Sequence, residues 1–460
     1  MTRDNMNFSG QKACNVIFYF QLLSSIIALM HISVIAMEPD KSLPKLLVID
    51  DKFPVYTRDF INEEIRAIIQ SKKFSVSVFS QEIVTDPNQL EKLPDWMKHN
   101  PIEQLETMPC DLDEYAIIFA CWGHLGEKIA KLKHQGTYHG ILITRFRGAP
   151  EERIGSTTLT CASEPSTSLC ELRRTGWRRS KLQRARRADD CCYHYLKQYG
   201  DLYVPNCDFF RRELCDKFGF DDQKFIVHYE SVDVHAIKQI IAESQSINVK
   251  NTNNNTISIL SVCRLEPKKG LNIGLEAVAR LRKKSTMPRI TYTIIGEGTQ
   301  RGALEKQINN LGLENIVTMA GGKNKKEVIE MLIRSDILLA PSHTSEDGDV
   351  EGIMNVLKEA GLAGTIVVAT DHAGAPELII HDKTGVLAKQ DDIIDLTDKL
   401  EYAIHNFYHW STWRDNLETA IKDHFNNACN HPHLIEIFID ALTAKNQVVK
   451  PLTSKTQKRT

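Results

Sequence analysis

The chain reads as α/β, two tandem doubly wound domains facing a central cleft, and three observations predict it. Short apolar runs alternate with helical patterns from Lys45 to near residue 241, the signature of parallel βαβ units. The same rhythm restarts at Ile257. Between the two lies Glu243 to Thr256, whose only aliphatic side chains are Ile247 and Val249 and which ends in an asparagine-rich run. Two isolated aliphatics cannot bury enough surface to pack, so this stretch is a linker. A length of 460 residues, 42% hydrophobic, is enough for two substantial cores. Each half is therefore Rossmann-like.

In the first domain, residues 37–241, Leu46 to Asp50 reads as a strand. Thr57 to Lys72 follows as a helix with Phe60, Ile61, Ile65, Ile68 and Ile69 on one stripe, and Phe74 to Ser80 alternates as the next strand. Ala116 to Cys121, a helix from about Gly126 to Lys133, and Gly140 to Phe146 make another unit, and Lys224 to Tyr229 reads as a later strand of the same sheet. Residues 242–256 are the linker.

The second domain, 257–445 with its C-terminal helices, is more regular. Its strands are Ile257 to Cys263, Ile290 to Ile295, Ile316 to Met319, Ile337 to Ala340 and Thr365 to Ala369. Its helices are Leu271 to Arg282, Gly302 to Asn310, Lys326 to Arg334 and one holding Glu359, followed by a helical region from Leu396 to Thr443 and a polar tail, 446–460. Open α/β sheets bind ligands outside the carboxyl ends of their strands, so the cleft between two such sheets is the expected site.

Charge and cysteine usage narrow the partners. A net charge of −2 gives no global field for nucleic acid, so any anion binding must be local. The 11 cysteines follow neither a zinc spacing nor a disulfide framework and fit free thiols in a reducing, cytoplasmic compartment. Asn15 to Ala36 is mostly apolar and as a helix would span roughly 33 Å. Gln21, Ser24, Ser25, His31 and Ser33 interrupt it. Residues 1–36 read as a membrane anchor, as a signal, or as sequence upstream of a start at Met37, and the first two would associate the chain with a membrane surface.

The strongest chemical signal is Glu351-Gly-Ile-Met-Asn-Val-Leu-Lys-Glu359, two carboxylates eight positions apart across the opening of an expected helix. Eight helical residues advance about 12 Å, so the pair would flank an extended, hydroxyl-rich anion with helix amides between them. Arg264 and Lys269, after the strand ending at Cys263, supply the two cations a diphosphate needs, a planar fork and a mobile point charge. Gly296-Glu297-Gly298 lacks the third glycine of a dinucleotide fingerprint and reads as a tight turn for close nucleotide approach. Asp347-Gly348-Asp349 reads as a solvated acidic loop rather than a metal site.

The order Arg264, Lys269, Gly270, Gly296-Glu297-Gly298, Asp336, Pro341-Ser342, the acidic pair and Gly374-Ala375-Pro376-Glu377 resembles the family-4 retaining glycosyltransferases of the GT-B fold, over about residues 257 to 390. Asp347-Gly348-Asp349-Val350-Glu351-Gly352 looks like members of the colanic-acid type that build surface polysaccharide. Phe53-Pro54, Phe60-Ile61, Val204 to Phe210 and Val232-Asp233 carry a weaker resemblance. The resemblance implies a metal-independent hexosyltransferase with no cofactor, moving a sugar from a nucleotide donor to a glycan or lipid-linked acceptor with retention. It places Glu351, Arg264 and Lys269 in catalysis, and Gly296, Glu297, Gly352, Ile353, Asn355 and Glu359 on the donor. Arg147 falls on the acceptor side, where the family carries Ser-Phe-His-Gly and this chain has Arg145-Phe146-Arg147-Gly148. A guanidinium cannot act as a neutral imidazole. Met354 and Ile366 replace family prolines and Ser231 a glycine.

From Ala149 to Asp190 the rhythm and the resemblance both stop, and Arg173 to Arg187 holds eight Lys or Arg. An insertion or an altered reading frame accounts for this stretch. With Arg147 it defines the alternative to an enzyme, an inactive sugar-nucleotide-binding relic or scaffold.

Overall fold

In a computed structural model the described residues are 42–53, 59–83, 103–105, 109, 111–148, 193–245, 256–346 and 348–449. The expectations for residues 1–36, for the irregular 149–190 segment and for Asp347 lie outside them. The described residues from Pro44 onward form one compact unit, and it holds both sheets.

The first sheet is built from β1 (Lys45–Phe53), α1 (Asp59–Gln70), β2 (Ser75–Ile83), β3 (Glu103–Leu105), β4 (Ile117–Ala120), α2 (Gly123–His134), β5 (Ile141–Phe146), α3 (His194–Tyr199), β6 (Leu202–Pro205) and α4 (Asp208–Phe218). Its six strands are parallel in the order β3-β2-β1-β4-β5-β6. β4 and β5 are buried at every position, which is why β4 reads as an unbroken apolar run, whereas β5 breaks its run with the buried Thr144 and Arg145. Lys224 to Tyr229 is not a strand. Asp222–Lys224 is a 3₁₀ turn and Phe225 makes only an isolated bridge to Tyr203, so the sixth strand is Leu202–Pro205. The segment runs extended beside β6, with the Ile226 and His228 amides on the Tyr203 and Pro205 carbonyls, and its apolar side chains imitate a ladder strand.

After α5 (Val234–Gln245) the second sheet comprises β7 (Thr256–Val262), α6 (Leu271–Leu281), β8 (Arg289–Ile295), α7 (Arg301–Asn310), β9 (Val317–Gly321), α8 (Lys325–Arg334), β10 (Ile337–Ala340), α9 (Asn355–Ala363), β11 (Ile366–Thr370) and β12 (Val386–Ala388). It is again all parallel, ordered β12-β11-β10-β7-β8-β9. The chain winds outward from the central strand to one edge, then returns beside that strand and winds the other way. The crevices of the two sheets therefore open between β1 and β4 and between β7 and β10.

The helices that follow, α10 (Ile393–His405), α11 (Trp410–His424) and α12 (Asn427–Val449), do not all stay with the second sheet. Trp413 of α11 joins the second core, whereas Leu434, Ile437 and Phe438 of α12 pack with Leu46, Val48 and Phe119 of the first. The chain thus crosses between the lobes twice, and the crossings lie side by side: Val232 bridges Asn426, its amide bonding the Phe425 carbonyl at 2.9 Å. Lys358 of α9, fully buried, ties this seam to the second lobe by donating to the Glu230 carbonyl and lying 5.3 Å from the Phe425 ring.

Candidate functional site

The loops at the β7/β10 crevice are held by glycines whose missing side chains are physically required. Gly270 has φ +60°, and a Cβ there would sit 1.9 Å from the Pro341 carbonyl oxygen. Gly296, at φ +140°, would place a Cβ 1.8 Å from the Cys263 carbonyl oxygen. The loop after β7 is so pressed between those after β8 and β10, and Leu265 locks it further by donating to the Glu297 carbonyl and accepting from the Gln300 amide, both at 2.9 Å. Glu297 itself points outward, paired with Arg301 at 2.8 Å.

Within that frame the charges converge. Lys269 Nζ lies 2.9 Å from Glu351 Oε1, and Lys268 Nζ lies 3.2 Å from the same oxygen and 3.0 Å from Asp349. All but Asp349 are largely buried. Burial alone would raise the Glu351 carboxyl, but Lys269 and Lys268 outweigh it and hold it below the usual carboxylate range. Arg264 is exposed on the same loop, its guanidinium without an ion-pair partner among the described residues. Beside these charges a small recess is lined by Val262, Cys263, Lys269, Ser342 and Met354. It lies at the topological switch point of the sheet.

The expected helix geometry needs correction. α9 begins at Asn355, with Met354 extended at φ −62°, ψ 132° as its N-cap, so Glu351, Gly352 and Ile353 belong to the loop before it. Glu351 and Glu359 do not share one helix, and the 12 Å separation does not apply. Glu359, in the second turn of α9, is buried and pairs with Lys325 at the start of α8. Asn355 accepts from the buried Lys358 at 2.9 Å, and burial lowers the Lys358 ammonium to about 8.

Two contributors are not evident from the sequence. Lys268 is hidden beside Lys269, and the acidic loop is engaged by it at Asp349. His372, two residues past β11, accepts the Glu351 amide on Nε2 at 3.1 Å, which makes Nδ1 the protonated nitrogen facing Gln390 Oε1 at 2.9 Å. Burial lowers its pKa, in keeping with this neutral tautomer. Only its place at the carboxyl end of a strand signals it. Asp336 is structural: its carboxylate accepts the Ser258 amide and hydroxyl at 2.9 and 2.8 Å, stitching β10 to β7.

Arg147 belongs to the first lobe, its carbonyl accepting from Asn206 Nδ2 at 3.3 Å. It is buried in the first lobe and ion-paired with both Glu64 and Glu230, while Arg145 takes the other Glu64 oxygen at 2.9 Å. Its guanidinium is paired with these two internal carboxylates. Among the described residues no cluster of three or more His, Cys, Asp or Glu could hold a metal ion, and no helix is long and apolar enough to cross a membrane.

The architecture is that of the GT-B glycosyltransferases. Over 86% of this chain and 100% of the other, the Anabaena protein Alr3699/HepE, crystallised with UDP, superposes with TM-score 0.62 at 18% identity. A sucrose-phosphate synthase from Thermosynechococcus elongatus does so over 87% and 100% with TM-score 0.62 at 15% identity. In sequence, residues 243–419 match the family model described as Glycosyl transferases group 1. WcaL of Salmonella typhimurium, named for colanic acid biosynthesis, is 33% identical over 284 residues, 62% of this chain and 60% of its own. WcaL of Escherichia coli K12 is 35% identical over 45% of this chain and 48% of its own, and the amylovoran biosynthesis glycosyltransferase AmsK of Erwinia amylovora 39% over 33% and 36%. The chain thus spans between about a third and three fifths of the length of these curated relatives.

Proposed function

We propose that the protein is a metal-independent retaining hexosyltransferase that moves a sugar from a nucleotide donor to a glycan or lipid-linked acceptor in surface polysaccharide synthesis. The observation that carries this reading is the convergence of Lys268, Lys269 and Glu351, with Arg264 beside them, at the β7/β10 switch point. Nucleotide-sugar chemistry needs such a place: the bond between the anomeric carbon and the diphosphate breaks, the leaving oxygen keeps the electron pair, and nearby cations stabilise the charge that builds there. Arg264 and Lys269 serve that role, with the Gly352 and Ile353 amides and the Gly296-Glu297 turn completing the diphosphate and nucleotide cradle. Glu351 holds Lys269 in place and offers its carboxylate to sugar hydroxyls. Glu359 and Asn355 lie on the ribose side. The acceptor oxygen forms the new bond from the face the diphosphate leaves, and its proton passes to the departing group.

Support comes from the group 1 domain over 243–419, from relatives named for exopolysaccharide synthesis, and from a fold neighbour crystallised with UDP. Arg147, closed on Glu64 and Glu230, has a structural role in this reading, so the departure at that position does not remove a donor contact. The chain would work in the cytoplasm, with residues 1–36 as its means of reaching a membrane. Purified protein incubated with a panel of nucleotide sugars should release nucleoside diphosphate in the presence of EDTA, and Arg264→Ala and Glu351→Ala should sharply slow release. Absence of both binding and release across UDP, GDP, ADP and dTDP sugars would overturn the assignment.

A further inference from the structure

A carboxylate of the second lobe caps a helix of the first. Glu377, in the 3₁₀ turn Ala375–Glu377 that follows β11, accepts the Asp208 amide on Oε2 at 2.8 Å and the Phe209 amide on Oε1 at 2.7 Å. These are the first two donors of α4, an eleven-residue helix whose own N-cap residue, the buried Cys207, makes no side-chain cap bond. Helix-start amides left inside a protein need an acceptor, and a carboxylate there also meets the positive end of the helix dipole. A residue 169 positions away in sequence meets that need here. The Tyr229 hydroxyl, at the exit from the first lobe, bonds the same carboxylate.

The cap adjoins the candidate site. Gly374, at the head of the same turn, lies against the Glu351 loop, where its Cβ would fall 2.9 Å from the Gly352 carbonyl carbon. Gly352 in turn faces Asn206, two residues before α4, and a Cβ on Gly352 would meet Asn206 Nδ2 at 3.0 Å. One patch therefore joins α4, the Glu377 turn and the loop bearing Glu351. We infer that Glu377 is a positioning residue: its carboxylate, shared with the α4 amides, holds the first lobe against the Glu351 loop in the arrangement that sugar transfer requires. It touches neither donor nor acceptor. The inference rests on the glycosyltransferase reading for what the arrangement accomplishes, but the interlobe bond itself is independent of it.

The test compares Glu377→Ala, Glu377→Gln and the double variant Glu377→Ala/Cys207→Ser, whose serine supplies an N-cap from within α4. Small-angle scattering, thermal unfolding, calorimetry with UDP, GDP, ADP and dTDP, and transfer are measured on each full-length protein. With Glu377→Ala, scattering should show a larger radius of gyration and transfer should fall about tenfold or more, while affinity for whichever diphosphate the wild type binds stays within about twofold. Glu377→Gln, keeping one acceptor oxygen, should lie between, and it stands in if the alanine variant does not fold. Cys207→Ser should recover melting temperature but neither compactness nor transfer. Recovery of transfer together with melting temperature would reduce Glu377 to a helix cap, and unchanged scattering and transfer in Glu377→Ala would overturn the inference. If the wild type binds none of UDP, GDP, ADP and dTDP, the functional reading fails while scattering still decides the interlobe bond.

Discussion

The two sheets share one winding order, yet their charged groups are set in opposite ways. Near the carboxyl end of β5 in the first lobe, Arg145, Arg147, Glu64 and Glu230 are all buried and closed upon one another. At the β7/β10 crevice of the second, Lys268, Lys269 and Glu351 keep partial access to solvent, and Arg264 stands exposed. Buried ions must be paired to be tolerated, and a completed pair has nothing left for a ligand. Partly exposed ions on loops held by glycines can exchange partners when an anion arrives. The contrast separates charges that build the fold from charges that would do chemistry, although both sets pair cations with glutamates.

The sharpest way to break that contrast is at Arg147. Alanine there leaves Glu230 buried with an unmet negative charge and Glu64 with Arg145 alone, so unfolding in urea should show a loss of about 3–5 kcal/mol. A loss below about 1 kcal/mol would mean that the first-lobe charges are not a closed structural network.

Acid probes the same network. Glu64 is held at about 2: burial raises it, but Arg145 and Arg147 outweigh that. His228 is pushed to about 3, by burial first and by Arg145 second. Glu64 binds fewer protons folded than unfolded, so its contribution is present above pH 4.5 and is lost as pH falls toward 2. His228 has the same sign over a wider window, losing stability as pH drops from 6.5 to about 3. Glu64 is worth on the order of 3 kcal/mol and His228 on the order of 5, and the two are not additive because the groups interact. Denaturant midpoints should fall steadily between pH 6 and 3, and Glu64→Gln should flatten the lower half of that curve. A midpoint indifferent to pH over this range would remove the network from the stability account.

In the second lobe the same logic predicts lost catalysis without lost stability. Arg264→Ala should lower kcat/KM about 100-fold while the urea midpoint stays within error of wild type, since nothing in the fold rests on that guanidinium. A destabilised but active Arg264→Ala would invert the comparison.

How much of the molecule is legible in its sequence follows from where each signal is stored. Parallel strands buried on both faces are continuous apolar runs, so Leu338 to Ala340 and Ile366 to Ala369 are visible from residue order alone. β3 and β12 are three residues each, too short for a period, and Leu202–Pro205 ends in a proline that argues against a ladder. The return of α12 to the first lobe is not legible, because the apolar stripe of Leu434, Ile437 and Phe438 names no partner. In the site, Arg264, Lys269 and Glu351 stand out by position after strands. The start of α9 is not, because Met354 carries no capping chemistry to mark it. Arg147 is legible only as a departure, its partners Glu64 and Glu230 each lying 83 positions away.

The smallest effect falls on Glu297, where the two kinds of charge meet. Its carboxylate pairs with Arg301 at 2.8 Å, and Arg301 with Glu305 at 3.0 Å, all at the surface. Exposed pairs of this kind contribute little, so Glu297→Ala should change stability by no more than about 0.5 kcal/mol. If the neighbouring glycine alone shapes the nucleotide cradle, donor KM should move by less than about threefold as well, whereas Gly296→Ala, forcing a Cβ to within 1.8 Å of the Cys263 carbonyl oxygen, should disrupt both. A rise of about tenfold in KM for Glu297→Ala at unchanged stability would instead make this carboxylate a donor contact in its own right. It would then belong with Glu351 among the charges that exchange partners, and the donor site would extend along the carboxyl end of the sheet from β10 through β7 to β8.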